Sequence, residues 1–335
     1  LTGCSYDARL GTNLTYLPWA LEKGATVYTD VRCDRLERIN GSKWRVHCTV
    51  VERGPRTARL PLTIDCERIV LAASAIFNPA ILMRSGLDKG LPQLGKNLSL
   101  QPQLGTIGLF DEGQEMIQWR GAPQSVEVNE FAENSPEHGL GGFRLEGIGG
   151  VLGPVMIMAP GFGREHKRFA ASMRNLSASL LLVPDQPSGE IDYEWAEDGR
   201  VAPKINYVMK DEWKQRLKRG MHKSAELLFA AGAKEVAFAN QAFPSLKSPD
   251  ELSRIDGFPI EPGWVSFNSA HNQGTCRMGT SPENSVVDQN LKVHTLDNVY
   301  VMDGSVMPTT ASTHTMIPIM VAADRAVHRL SLIHI

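Results

Sequence analysis

The sequence predicts an α/β plus α+β protein. One part is a doubly wound domain, incomplete on its N-terminal side, and the other is an antiparallel-sheet domain. Three observations carry this. A chain of 335 residues is longer than a single core usually organises. Residues 1–98 read helix, strand, meander, short apolar strand, helix, the order of the second half of a doubly wound domain. Residues 99–263 change to short alternating strands broken by Gly, Pro and Ser, the texture of a sheet with helices to one side. The first texture returns at about Trp264. Residues 1–98 and 264–330 are thus expected to form one domain in two segments, 99–263 a second domain, and 331–335 a detached tail.

Each element has its own signal. Leu14, Leu17, Trp19, Ala20 and Leu21 recur at helical spacing, which predicts a helix over 12–25 stopping at Gly24. Residues 25–31 alternate and predict a strand. Strands are expected at 44–51 and 59–66, with the turn residues Glu52 to Pro55 making a hairpin or meander. The continuous apolar run at 68–73 predicts a fully buried parallel strand. Asn78 and Pro79 are expected to open a helix through Met83, stopped by Gly86. Further strands are expected at 125–131, 180–183, 191–195 and 205–209. A helix over 211–231 has Asp211 and Glu212 complementing its dipole and Gly232 beyond its end. Residues 147–153 are glycine-rich, but Leu152 stands where a third glycine belongs and no apolar strand precedes them, so they read as a loop.

No G-x-G-x-x-G follows a strand anywhere in the sequence, and Leu1 opens within what reads as a loop. The expectation is a fragment truncated at its front, unable to hold a dinucleotide cofactor firmly.

Composition excludes several classes. Hydrophobic residues make up 42% and charged residues 21%, ordinary for a soluble globular protein. A net charge of -2 gives no electrostatic reason to expect nucleic acid or an anionic membrane. The longest apolar runs are about eight residues, far below the roughly 20 that span a bilayer, so no transmembrane segment is expected. The five cysteines form no C-x-x-C and no zinc spacing, and read as free thiols, leaning toward a reducing compartment. Cytoplasm and periplasm both stay open. Cys276 and Met278 lie near His271 but complete no metal set.

The chemistry concentrates in the last quarter. His271 and His314 flank a strand at 299–302 that ends in Asp303 and Gly304. Either histidine alone reads as a structural or capping residue. As a pair they suit a redox site, because an imidazole of near-neutral pKa can accept a hydroxyl proton, worth roughly 10²–10⁴ in rate. The second imidazole can hold the substrate oxygen or share the proton. After His314 a buried helix is expected to start, with Pro318 tolerated in its first turn. The free N–H groups of Thr315, Met316 and Ile317 and the helix dipole would favour a developing negative charge. Asp303 reads equally as an acceptor for ribitol or ribose hydroxyls and as an Asx-turn at a strand end.

The motifs H-x-x-G-T-C-R-M-G at 271–279, V-V-D-x-x-L-x-V-H at 286–294 and N-V-Y-V-x-D-G-S-V-x-P at 298–308 closely resemble those of the glucose–methanol–choline (GMC) oxidoreductases. Residues 72–86 are similar to that family's second signature, and 94–98 to its following turn. The resemblance covers 1–110 and 264–330 well, and the middle only in layout. It implies an FAD domain assembled from separated segments and a substrate domain on a six-stranded antiparallel sheet. It implies that His271 is the principal catalytic histidine and His314 its partner. Among cofactor contacts it implies Val31 at the adenine and Asp303 and Gly304 along the FAD chain; Ala72, in the second signature, and Thr315 and Met316, at the helix start, complete that set. The implied activity is oxidation of a small alcohol to a carbonyl, with the proton taken by His271 and the hydride by the flavin. The electron acceptor (oxygen, a quinone or a cytochrome) stays open. Two other readings are a flavin-containing hydroxynitrile-type lyase and an inactive fragment or interaction module. The chain departs from the family pattern at Ser74, usually glycine, at Asn78, usually Ser or Thr, and at Gln101, usually histidine.

Overall fold

The computed structural model describes residues 4, 6–51, 59–122, 124–134, 142–197, 200–241 and 243–332. Helix α1 spans Tyr16–Glu22 and buries none of its residues. It is shorter than the apolar spacing suggests, and Gly24 follows it at φ +92°. The strand expected at 25–31 is absent. Val27 and Tyr28 are exposed, and the extended chain starts instead at β1, Val31–Asn40. The reason is pairing: Val31 is the first residue to find a partner, Val50 of β2, Lys43–Val51. With β3, Arg59–Cys66, these strands form the expected antiparallel meander in the order β1-β2-β3. The loop at 52–55 lies outside the described residues. Next come β4, Ile69–Leu71, and α2, Ser74–Arg84. Helix α2 begins ahead of the expected start, so Pro79 stands inside it rather than at its opening.

The middle of the chain builds the second sheet. Its strands are β5 (Lys96–Leu98), β6 (Gln103–Leu109), β7 (Glu127–Val128), β8 (Arg144–Ile148), β9 (Leu176–Leu182), β10 (Gly189–Trp195), β11 (Val201–Asn206), β12 (Glu235–Phe238) and β13 (Phe267–Asn268). Helices α3 (Leu152–Met156) and α4 (Gly163–Ala171) lie between β8 and β9, and α5 (Asp211–Ala230) precedes β12. Strands β12-β6-β9-β8-β7, with β13 also paired to β6, make a six-stranded antiparallel sheet. Strands β11-β10-β5 make a smaller one.

Helix α5 ends as its sequence says, with Ala231 as C-cap and Gly232 at φ +99°. Its buried stripe of Trp213, Leu217, Met221 and Ala225 repeats every fourth residue and joins Leu104, Ile107 and Leu181 in one core. Three expectations fail here. The strand at 125–131 shrinks to β7, the strand at 205–209 shifts back to β11, and the glycine-rich 147–153 is partly β8 and partly α3. Strand β6 escaped detection because all its residues but the last are buried, including Gln103 and Thr106, so it shows no alternation.

The last quarter adds β14, Val299–Val301, and α6, Met316–Leu332. Strand β14 pairs in parallel with β4, Val299 opposite Ile69 and Val301 opposite Leu71. This parallel pair is the doubly wound part of the fold. A second core gathers Leu36, Trp44, Leu71 and Leu82 with Val286, Val293 and Val301, uniting segments far apart in sequence. Burial is less complete than expected. Ile69 and Leu71 are buried, but Val70 is 51% exposed. Helix α6 is largely exposed rather than buried: Met316 is 64%, Ile317 60% and Val321 61% exposed, and Ala326 is the buried position among its described side chains. No described residue covers these apolar faces. No helix among the described residues is long and apolar enough to cross a membrane.

Candidate active site

The segment carrying His271 is fastened on both sides. Gln273 exchanges backbone bonds with Ser99 at 2.9 and 3.0 Å, and Gly95 N–H donates to Thr275 O at 3.0 Å. On the other side Gly274, Cys276 and Met278 donate N–H to the carbonyls of Gly304, Ser305 and Val306 at 3.3, 2.9 and 2.8 Å. Gly274 sits at φ +93°, and a Cβ there would lie 2.1 Å from Asn97 O. No other residue fits that crossing, which explains the glycine three positions after the histidine.

Fastening brings the two histidines together. His271 Nε2 faces His314 Nδ1 at 3.4 Å, with the rings edge to face at 85°. His271 is buried, and its Nδ1 makes a close contact with Gln101 Oε1. The outer nitrogen of His314, Nε2, lies 2.7 Å from the buried Glu146 Oε1 on β8. That approach is short but not aligned as a hydrogen bond. Two residues earlier on the same strand, and therefore on the same face, Arg144 Nε donates to Ser312 O at 2.8 Å. The six-stranded sheet thus supports the His314 loop from below.

Burial, and secondarily the charge of His314, holds the His271 imidazole down to about 4. Burial pushes the Glu146 carboxyl up, and the neighbouring His314 opposes that rise. Cys276 is fully buried and its thiol is pushed up by desolvation, so it packs rather than reacts.

Asp303 forms the Asx-turn that the sequence offers and, with it, a clamp that the sequence does not. Its Oδ1 accepts from Ser305 N (2.9 Å) and Ser305 Oγ (2.5 Å), and its Oδ2 from Ser74 N and Asn78 Nδ2 (2.8 Å each). A carboxylate offers about four lone-pair sites, and all are used within the protein. Its side chain therefore clamps β14 to the start of α2, and the Ser305 bond is the Asx-turn. Asn78 completes the clamp by donating to Ser305 Oγ at 2.9 Å and accepting from Ala73 N at 2.8 Å. Ser74 occupies φ +71°, a left-handed conformation that explains why glycine is usual there.

The remaining expected contacts surround this clamp. Ala72 is exposed beside it, Thr315 is buried and Met316 exposed at the start of α6. A Cβ on Gly304 would meet Asn272 O at 2.9 Å and Ile319 Cδ1 at 3.1 Å, so this glycine lets α6 and the His271 loop converge. Val31 opens β1 farther off. The next residues of that strand, Arg32, Cys33 and Asp34, line a cleft of about 460 Å³ with Ala73, Phe77 and Trp195.

Three residues escaped the sequence reading. Gln101 stands out in the sequence only as a departure, and Glu146 and Asp185 do not stand out at all. The signal for Glu146 was the charged alternation Arg144, Glu146, which points to one strand face but not to what that face meets.

Family models described as GMC oxidoreductase match residues 1–103 and 185–323. An uncharacterized GMC-type oxidoreductase of Mycobacterium tuberculosis is 28% identical over 96% of this chain and 48% of its own length. The long-chain-alcohol oxidase FAO3 of Arabidopsis thaliana is 27% identical over 96% of this chain and 44% of its own length. Among solved structures, a pyridoxine 4-oxidase from Mesorbium loti superposes with a TM-score of 0.61 at 20% identity, covering 89% of this chain and 57% of that one. A formate oxidase of Aspergillus oryzae superposes with a TM-score of 0.63 at 18% identity, covering 91% and 60%. The chain belongs to the GMC oxidoreductase family, whose members are FAD-dependent flavoproteins. It spans about half the length of the curated relatives it matches.

The residues present fit the flavin end of FAD. Around the clamp, exposed Ala72, Val70, Met316 and Ile317 offer an apolar bed, and the first turn of α6 offers main-chain N–H groups and the positive end of a dipole. A flat apolar ring with a polar edge suits such a bed. The pyrophosphate end has no counterpart here, since no G-x-G-x-x-G occurs in the 335 residues.

Proposed function

We propose that this chain forms the catalytic part of an FAD-dependent oxidoreductase that converts an alcohol CH–OH group to a carbonyl. The observation that carries the reading is the facing pair of His271 Nε2 and His314 Nδ1 at 3.4 Å. Their outer nitrogens are engaged by Gln101 and Glu146, so a substrate hydroxyl would meet the inner nitrogens, which here face each other. The names of the similar long-chain-alcohol oxidase and pyridoxine 4-oxidase agree with this chemistry.

His271 acts as the base. Held near 4 by burial, its imidazole is neutral at physiological pH and can accept the hydroxyl proton as the C–H bond breaks. His314 holds the substrate oxygen from the other side, and Glu146 behind it holds that ring in place. When bound, FAD accepts the hydride from the carbinol carbon. Gln101 and the fastened 271–278 segment hold the base in place, so its approach to the hydroxyl costs no further reorganisation. The electron acceptor that completes the cycle is oxygen, a quinone or a cytochrome.

The test is anaerobic bleaching by alcohol of the flavin in FAD-loaded protein. Wild type should bleach, and His271→Ala should slow bleaching by roughly 10²-fold or more. Bleaching within a few-fold of wild type would remove His271 from the base role. Cyanohydrin cleavage without bleaching would assign the site to a lyase instead.

A further inference from the structure

We propose that Gln101 is a positioning residue that locks His271 as its Nδ1–H tautomer, and that Asp185 in turn holds Gln101 in place. This rests on the reading of His271 as the base, because the lock leaves the lone pair on Nε2, the nitrogen that faces His314 and would take the hydroxyl proton.

The argument starts from the orientation of one amide. Gln101 is fully buried. Its Nε2 donates to Ala311 O at 2.8 Å and lies 3.4 Å from Thr313 O. A carbonyl can only accept, so this end of the amide must be the NH₂ group. The Oε1 end is then fixed toward His271 Nδ1. An amide oxygen is only an acceptor, so a bare Nδ1 would set two lone pairs against each other at close range. The proton therefore resides on Nδ1, and the neutral ring carries its lone pair on Nε2. Gln103 Nε2 stands 3.5 Å from the same nitrogen. That is too long for a normal hydrogen bond, and among the described residues no carbonyl pair orients the Gln103 amide, so Gln103 does not decide the tautomer.

Gln101 needs support to stay there, because its backbone is left-handed at φ +46°, a conformation unfavourable for a residue with a Cβ. Asp185 supplies that support. It is buried, and its carboxylate accepts from Gln101 N at 3.0 Å, Leu100 N at 2.8 Å and Tyr207 Oη at 2.6 Å. The Thr310 hydroxyl also reaches Asp185, through the Asp185 carbonyl at 2.5 Å and Oδ1 at 3.1 Å. Thr310 opens the loop that carries His314 and the two carbonyls met by Gln101. One buried carboxylate thus sets the Gln101 turn and the His314 loop at a fixed spacing, and Gln101 translates that spacing into the protonation pattern of His271.

The experiment is long-range ¹H–¹⁵N correlation on the full chain carrying ¹⁵N-histidine, with the His271 ring signals identified by their loss in His271→Asn. Wild type at neutral pH should show a protonated Nδ1 and a bare Nε2. In Gln101→Leu the two nitrogens should move toward averaged shifts, and turnover should drop about tenfold or more. Gln101→Glu, which keeps an oxygen at Nδ1, should retain the wild-type pattern. A wild-type spectrum with the proton on Nε2 would overturn the proposal, as would an unchanged pattern in Gln101→Leu. Should Gln101→Leu fail to fold, the wild-type and Gln101→Glu spectra still decide it. If the Nδ1–H pattern holds but His271→Ala still bleaches with alcohol, the base reading falls and the lock stands.

Discussion

The hydroxyl of Thr275 donates to the carbonyl of Ala75 at 2.6 Å, taking the place of the helical bond that Pro79 cannot make. Pro79 stands four residues after Ala75 inside α2 and has no N–H, so the Ala75 oxygen loses its usual donor. Thr275 comes from the His271 segment and is fully buried. A break in one helix is thereby repaired by the segment that carries His271. Thr275→Val keeps the shape and removes the donor. It should cost about 1–3 kcal/mol, the penalty for a buried unpaired carbonyl, seen as a lower unfolding midpoint in urea. An unchanged midpoint would mean that the oxygen finds another donor.

Asp303→Ala opens the clamp between β14 and α2. It leaves Asn78 Nδ2 and the Ser305 hydroxyl and amide without their acceptor, and both residues are fully buried. We expect a loss of about 3 kcal/mol in unfolding free energy, measured in flavin-free protein so that cofactor binding does not contribute. Stability within error of wild type would show that the four bonds are replaced by water.

Ser74→Gly should act in the opposite direction. At φ +71° a side chain is strained, and removing it should add about 0.5–1 kcal/mol, with the Ser74 N–H bond to Asp303 retained. A lower thermal midpoint for the glycine variant would show that the Ser74 hydroxyl bond to Ile76 N outweighs the strain.

Glu146→Gln keeps the shape of the side chain behind His314 and removes its charge. Because that charge is only 2.7 Å from His314 Nε2, turnover should drop about tenfold, with the fold unaltered by circular dichroism. Steady-state kinetics equal to wild type would place Glu146 outside the proton path.

The depressed His271 sets two pH limits. Its pKa lies at about 4 in the fold against an ordinary 6.5, so the unfolded chain binds more proton between those values. Stability from this group is complete above about pH 6.5 and is lost as pH falls to about 4. Turnover should likewise hold across neutral pH and decline only on approach to about pH 4. Stability profiles of wild type and His271→Asn should therefore diverge in that window. Parallel profiles would mean that His271 titrates normally.

Much of the site was legible because motifs are local. The H-x-x-G spacing, the strand ending in Asp303 and Gly304, and a helix beginning near Thr315 all depend on a few consecutive residues, and each lies where its pattern indicates. The helix at α5 and the meander were legible for the same reason: capping acids, a stopping glycine and period-two alternation report on neighbours in sequence. Where pairing with a distant segment decides the outcome, local signals misled. The run at 25–31 alternates like a strand, but only its last residue, Val31, enters the ladder, while the charged stretch that follows is a strand because β2 lies beside it.

What the sequence by itself determined, then, is the family: its motifs are those of the GMC oxidoreductases, and they single out His271 and His314. What only the tertiary structure decided is which groups stand behind them. Glu146 and Asp185 sit on or beside strands of the six-stranded sheet, more than a hundred residues from the His314 loop they both touch, and nothing in their neighbourhoods along the chain points there. Asp303 shows the same division. Its position was readable, but a carboxylate's role depends on where its lone pairs are spent, and two of its four donors, Ser74 N and Asn78 Nδ2, became visible only when α2 was folded against β14.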